Sequence, residues 1–340
     1  MNEPPKIVFV VNGHDDSLVR WSVGYLSAAL QRTGVDSKVV DLRRGVEACD
    51  GADVVVVYRS FSDHTKNQMV RWKANGKYVM YFLDDYLFQP GCRYSSEYKL
   101  PIMDFLNTAD CLVSSSMMLL SKMPDKEKIL RRSVLDQEAS QVLAQDYRRD
   151  KSVFVIGWLA GIGRRGFVDG FVVEFLSELD RELKGERCDF KCFGHYGLPK
   201  FANISVKSYP YSPAANWRGL YERFVDMDMG VSINVLDEAD EFCRCKSELK
   251  LVETGTMGVP IVTSRVPPFT EVVKEGETGF FASTPAEFAK KILLVMRDES
   301  LARKVSQSVK NLVRDGYNVD TNAKQFLEDV MRGLNKWKKI

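Results

Sequence analysis

Histidine is scarce in this sequence: there are three in 340 residues, and His14, His64 and His195 stand far apart along the chain. Nothing in that spacing resembles the ligand set of a metal centre. The seven cysteines (Cys49, Cys92, Cys111, Cys188, Cys192, Cys243, Cys245) include no Cys-x-x-Cys pair. Their odd number and spacing argue against a disulfide framework and a structural zinc site, so a reducing, cytoplasmic location is expected. Excess charge of either sign is also missing, since 48 basic side chains against 46 acidic ones leave +2. That excludes bulk attraction to nucleic acid or to an anionic membrane. The opening Met-Asn-Glu-Pro-Pro-Lys lacks the basic-then-apolar order of a signal peptide, and the apolar run 6–11 is far too short to span a bilayer. Integral membrane association is therefore not expected. Lys336-Trp337-Lys338-Lys339 reads as the solvated end of a helix rather than a lipid anchor.

What is present is a globular composition, 45% hydrophobic and 28% charged, on a chain long enough for two domains. Apolar runs of strand length alternate with amphipathic stretches of helical length, the pattern of parallel sheets covered by helices. The class is α/β. Strands are predicted at 6–11, 37–41, 53–58, 77–83, 110–114 and near 129–132, with a helix over 18–32 whose Leu18, Tyr25, Leu26, Ala29 and Leu30 share one face. A polar stretch over 145–151 precedes a new buried run, Val153-Phe154-Val155-Ile156-Gly157, at which the alternation restarts. The second half has predicted strands near 189–193, 227–233 and 260–263, and helices over 167–183, 247–257, 285–297 and 300–313. The expected organisation is a first domain over 1–150, a second over 151–317, and a long terminal helix within 318–340 that returns to the first domain. Ligands of doubly wound sheets bind beyond the C-terminal ends of the strands, so a cleft between two such domains is the expected active site.

The most informative segment runs from Phe242 to Ser264. Ser247 has the chemistry of a helix N-cap, Gly258 that of a C-cap, and Val259-Pro260 leads into a short buried strand. A helix starting at Ser247 would offer backbone N–H groups, with Lys246 and Lys250 beside its first turn, to a diphosphate. Glu253 lies one to two turns further on, within reach of ribose hydroxyls. An ordinary surface helix with solvated lysines is the competing reading.

This segment resembles the retaining GT-B glycosyltransferases of family four, in particular a bacterial subgroup with Phe-x-x-x-Lys-Ser-x-x-Lys-x-x-Glu before Gly-x-Pro-x-Val. Phe242, Lys246, Ser247, Lys250 and Glu253, then Gly258, Pro260 and Val262, fill that pattern. Phe269-Thr270-Glu271-Val272-Val273-Lys274-Glu275-Gly276-Glu277-Thr278-Gly279-Phe280 is similar to the loop and short strand that follow in the family. Tyr81-Phe82-Leu83-Asp84-Asp85 and Ala109-Asp110-Cys111-Leu112-Val113-Ser114 are similar to two strands of its first domain.

The resemblance implies a GT-B fold of two Rossmann-like domains facing across a cleft. It implies sugar transfer from a nucleotide-diphosphate donor, UDP- or GDP-linked, to an acceptor hydroxyl of a glycan or small molecule, with retention and without metal. Glu253 matches the ribose-binding glutamate, and Lys246, Ser247 and Lys250 match the phosphate-facing positions. The family's other phosphate-binding cation follows the first strand of the second domain, where Arg164 and Arg165 stand in a glycine-rich turn with Gly161, Gly163 and Gly166. Where many members carry a second glutamate, this chain has Cys245; Asp237, Glu238 or Glu241 in the preceding loop could supply that contact, although solvated loop charge is the favoured reading of those three.

Asp84 and Asp85 end an apolar strand and are the candidate catalytic carboxylates, as acceptor-activating base or stabiliser of the transition state. Asn12 and Gly13 follow the first strand and His195 a strand of the second domain, and Tyr211 lies in a loop that would flank the base; these four complete the donor-binding set. Asp226-Met227-Asp228 matches the Asp-x-Asp metal signature of another glycosyltransferase architecture, but it directly precedes a buried strand and is not assigned to metal. Two rival functions share the fold: glycosylation of a modified DNA base, with Arg43-Arg44, Arg131-Arg132 and Arg148-Arg149 on phosphates, and a noncatalytic nucleotide-sugar-binding subunit.

Overall fold

The computed structural model describes residues 3–12, 20–90, 95–135, 139, 141, 153–159, 167–194, 197–209, 219, 222 and 226–339. They form two compact units, one of Met1–Val134, Cys245–Ser247 and Tyr317–Ile340, the other of Leu135–Arg244 and Glu248–Gly316. Each unit is built on one six-stranded sheet.

The first sheet consists of β1 (Ile7–Val11), β2 (Ser37–Asp41), β3 (Val54–Tyr58), β4 (Tyr78–Phe82), β5 (Cys111–Ser114) and β6 (Glu127–Leu130). Its spatial order is β2-β1-β3-β4-β5-β6 and every pairing is parallel. The runs IVFVV, VVVVY and YVMYF are buried at every position because helices cover both faces, which is why they lack the polar alternation of a half-exposed strand. At the edge, β2 keeps polar residues, and its buried Ser37 hydroxyl is satisfied by Ser27 at 2.8 Å.

Helix Val319–Trp337 closes one face of this unit. Asn318 caps it by accepting from the N–H groups of Asp320 and Thr321 at 3.0 and 3.1 Å. Val319, Ala323, Phe326, Val330 and Leu334 recur at helical spacing and are buried with Ile7, Phe9 and Leu26. Gly333 permits the close approach to β4: a Cβ there would stand 2.6 Å from the Tyr78 hydroxyl.

The second sheet contains β7 (Phe154–Leu159), β8 (Cys188–Phe193), β9 (Ile204–Tyr209), β10 (Val231–Asn234), β11 (Ile261–Thr263) and β12 (Phe280–Phe281). It is also parallel throughout, in the order β9-β8-β7-β10-β11-β12. Helices Phe167–Leu183 and Pro285–Arg297 pack against it around Phe171, Phe175, Phe190 and Phe288. At Gly157 in β7 the Met229 side chain occupies the space that a Cβ would take, so a larger residue there would have to displace that methionine.

Several expectations shift. The strand predicted over 227–233 is only Val231–Asn234, because Asp228 takes φ 50° and turns the chain just before it. Lys191 Nζ holds that turn by donating to the Met227 carbonyl at 2.8 Å. The strand placed at 129–132 is Glu127–Leu130. Edge strand β9 was not predicted; its largely polar, half-exposed ISVKSY gives only a weak alternation. In the first helical segment, a single π turn, Arg20–Gly24, precedes α-helix Tyr25–Arg32, and Leu18 lies outside the described residues. The predicted boundary near residue 150 also lies outside them.

Candidate functional site

In the first unit the parallel register sets Tyr58 beside Phe82, so β3 and β4 end together and the residues after them meet. Leu83 N–H still bonds to the Val113 carbonyl at 3.0 Å, and Asp84 and Asp85 follow immediately. Arg59, the first residue after β3, adopts φ 43°, a left-handed conformation uncommon outside glycine, asparagine and aspartate. Its N–H is held by the Phe82 carbonyl at 2.9 Å.

That turn places the Arg59 guanidinium between the two carboxylates, with Nη1 donating to Asp84 Oδ1 at 3.0 Å and to Asp85 Oδ2 at 3.2 Å. Tyr58 donates its hydroxyl to Asp84 Oδ2 at 2.7 Å and accepts from Ser22 at 2.8 Å. Lys246, which belongs to this unit, donates to Asp85 Oδ1 at 2.5 Å. Burial, and then the charge of Asp84, push the Tyr58 phenol well above its ordinary value, so it remains a donor. Burial works against the Arg59 charge, but Asp84 and Asp85 more than reverse it and raise its pKa. Asn12 has a different neighbourhood: its Nδ2 donates to Ser62 Oγ at 2.9 Å, tying the end of β1 to the N-cap of helix Asp63–Ala74.

In the second unit the helix expected from Ser247 is Leu249–Gly255, and its N-cap is Glu248, whose carbonyl accepts from Leu251 N at 2.9 Å. Ser247 is therefore not the cap. The helix is only seven residues long, so what this segment offers an anion is chiefly lysine charge rather than an extended dipole. Gly258 does end the segment, at φ 67°, where Val259 N–H returns to the Thr254 carbonyl at 3.0 Å. Gly255 lets the helix lie close to helix Glu299–Gly316, because a Cβ would come within 2.7 Å of Val313.

Within this short helix Lys250 Nζ donates to Glu253 Oε2 at 2.7 Å, and the Glu253 side chain is only 8% exposed. Beside it, the ends of β10 and β11 are joined by polar contacts: Asn234 Nδ2 to Thr263 Oγ1 at 3.2 Å and Leu236 N–H to Ser264 Oγ at 2.9 Å. Of the carboxylates in the preceding loop, Glu238 accepts from Arg265 N–H at 2.9 Å and Asp237 from Ala239 N–H at 2.9 Å. Cys245 is buried.

The structure thus gathers Asp84, Asp85 and Lys246 in one constellation and Lys250 with Glu253 in another, and ties Asn12 to a helix cap. Gly13, Arg164, Arg165, His195 and Tyr211 lie outside the described residues, as do His14, Arg148 and Arg149. Tyr58 and Arg59 were missed, although a Tyr-Arg pair directly after an all-valine run carries the same positional signal that selected Asp84 and Asp85. Among the described residues no group of three His, Cys, Asp or Glu is placed to hold a metal ion, and no helix is long and apolar enough to cross a membrane. Of the arginines considered for DNA, Arg43 forks Asp41, while Arg131 is buried over the Phe82 ring.

Residues 249–312, which include Lys250 and Glu253, match the family model described as glycosyl transferases group 1. No curated protein matches the chain. Among solved structures it is similar to a glycosyltransferase from Rickettsia africae ESF-5, with 12% identity, 98% of this chain and 99% of that one covered, and a TM-score of 0.70. It is also similar to sucrose-phosphate synthase from Thermosynechococcus elongatus, at 13% identity, 97% and 99% coverage and a TM-score of 0.67. The Anabaena protein HepE, solved in complex with UDP and glucose, gives 12% identity, 96% and 99% coverage and a TM-score of 0.64. At such identities the likeness establishes the fold: two α/β Rossmann-like units of GT-B type.

Proposed function

We propose that this chain is a glycosyltransferase that moves a sugar from a UDP- or GDP-linked donor to a hydroxyl of a glycan or small-molecule acceptor. The reading extends to a family-four enzyme that acts with retention and without metal, in the cytoplasm. The observation that carries it is the Lys250–Glu253 pair, a nearly buried carboxylate beside an ammonium within the segment that matches the glycosyltransferase model. Support also comes from HepE, which has the same fold and was solved with UDP and glucose.

In this reading Glu253 accepts hydrogen bonds from the ribose. Lys246, Lys250 and one of Arg164 and Arg165 balance the charge that develops on the departing nucleoside diphosphate. Ser247, His195, Tyr211, Asn12 and Gly13 line the donor, and the Asp84–Asp85 pair serves the acceptor hydroxyl. The transferred sugar leaves its phosphate oxygen and bonds to the acceptor oxygen, whose proton passes to a base. No observation favours the DNA-modifying alternative, and turnover of a nucleotide sugar would separate an enzyme from a noncatalytic binding subunit.

Calorimetric titration tests the donor site. Glu253→Ala is expected to weaken UDP or GDP binding by about 1.5–3 kcal/mol, the range for hydrogen bonds to a charged group. Because Glu253 also engages Lys250, the nucleoside is the cleaner probe of the ribose contact. Lys250→Ala should penalise the diphosphate far more than the nucleoside. Unchanged affinity in Glu253→Ala would remove the reading's residue-level support.

A further inference from the structure

Helices Phe167–Leu183 and Pro285–Arg297 lie side by side in the second unit, with their C-terminal ends tied together. Arg297 Nη2 donates to the Glu182 carbonyl at 3.1 Å and to Glu186 Oε1 at 2.5 Å. On their solvent side the two helices border a groove of about 620 Å³. Its apolar lining comes from Ala286, Ala289 and Leu293, and the two alanines are too small to fill it. Glu178 and Glu182 line it from one helix, Lys290 and Lys291 from the other. Lys291 is engaged by Glu275 at 2.6 Å and Glu178 by Arg181. The Glu182 carboxylate and the Lys290 ammonium, both exposed, have no ion-pair partner among the described residues. Leu294 also borders the groove and is 40% exposed, although Leu293 and Val295 on either side of it are buried.

One wall is acidic and the other basic, and an exposed leucine stands two helical turns from an alanine-lined recess. Such a face is complementary to itself after a half-turn, which is the requirement of a two-fold interface. A foreign partner would have to reproduce that arrangement, whereas a second copy of the chain already carries it. We propose that this groove is a homodimer contact: Leu294 of each protomer enters the alanine-lined groove of its partner, and Lys290 of each faces the other's acidic wall. Removal of the leucine from water supplies the attraction. The charges fix the orientation, because exposed ion pairs add little affinity while like charges brought face to face repel. One leucine and one groove per protomer make a small interface, so association at about 10–100 µM is expected rather than a permanent dimer. The contact uses the second unit alone and does not depend on the donor reading.

Sedimentation velocity of the full chain over about 5–200 µM should show a reversible shift from monomer to dimer. Leu294→Gln is expected to weaken dimerisation at least about tenfold. Glu182→Lys and Lys290→Glu should each weaken it about threefold or more, and the double variant should return to within about twofold of wild type, the signature of a direct pairing. All three side chains are exposed, so the thermal midpoint at low protein concentration should stay unchanged and separate loss of contact from loss of fold. Should Leu294→Gln nevertheless unfold, the charge-reversal series decides alone. A wild type that remains monomeric over the whole range overturns the proposal. So does a dimer that a folded Leu294→Gln variant leaves intact, or a charge-reversed double variant no better than its weaker parent.

Discussion

Among the described residues the two sheets contain the same number of strands, all parallel, yet they are wound differently. The second has, by order of appearance, the arrangement 3-2-1-4-5-6 of dinucleotide-binding sheets, whereas the first has 2-1-3-4-5-6, a flavodoxin-like order with one strand added. The switch point therefore falls between β1 and β3 in one and between β7 and β10 in the other. Their strand ends also carry different chemistry. The first presents carboxylates pinned by donors from the neighbouring strand end; the second presents a short helix whose lysine and glutamate pair within one turn. One architecture thus carries two kinds of strand-end chemistry, and the kind is set by the few residues just past the strands rather than by the sheet.

The largest effects should come from the two cores. Phe326→Ala in helix Val319–Trp337 and Phe288→Ala in helix Pro285–Arg297 each empty a buried ring site, at an expected cost of about 3–5 kcal/mol. If the units unfold independently, Phe326→Ala should speed hydrogen exchange in β3 and leave β8 protected, and Phe288→Ala should do the reverse. Equal deprotection of both sheets by either variant would mean that they unfold as one.

A pH series acts on both cores in the same direction. Burial raises Cys49 from 9.0 to about 11 and Cys111 to about 12 in the first unit, and Cys188 to about 12 in the second. A thiol with a higher pKa folded than unfolded stabilises the fold fully below its unfolded value, and that contribution is lost as pH rises through the folded one. Urea midpoints should accordingly fall between pH 9 and 12. Cys111→Ala and Cys188→Ala should each flatten that slope; an unaltered slope in both would assign the loss to other groups.

The smallest effect separates two serines that look alike in sequence. Ser62 accepts from Thr65 N–H as the cap of helix Asp63–Ala74, so Ser62→Ala should cost about 1 kcal/mol. Ser247 precedes the true cap, and Ser247→Ala should change stability by about 0.5 kcal/mol or less. Thermal unfolding of the two variants side by side would show the contrast, and a larger loss at Ser247 would contradict the position of the helix start.

Much of the fold was legible because burial on both faces leaves a strong signature. VVVVY and YVMYF can hardly be anything but inner strands, and helix Pro285–Arg297 announces its start, with Thr284 capping it and Pro285 at its first position. Where the signature thins, the reading failed. Strand β9 lies at an edge with polar residues outward, and the 227–233 run hides a turn at Asp228 that the flanking Met227 and Met229 obscure. Ser247 had cap chemistry, but a cap is defined by the backbone that follows, and the helix forms two residues later.

By itself, then, the sequence determined that the chain is α/β, where most inner strands run, and that carboxylates and lysines stand just beyond them. Such features follow from local periodicity and from which side chains water excludes. Only the tertiary structure decided the order of the strands and which charges meet. The pairing of β3 with β4 brings Tyr58 and Arg59 to Asp84 and Asp85 across more than twenty intervening residues, and Lys246 reaches Asp85 from 161 residues away. The physical reason is that hydrogen-bond partners of buried charge are chosen by parallel register and by the turn at each strand end, neither of which is written in local composition.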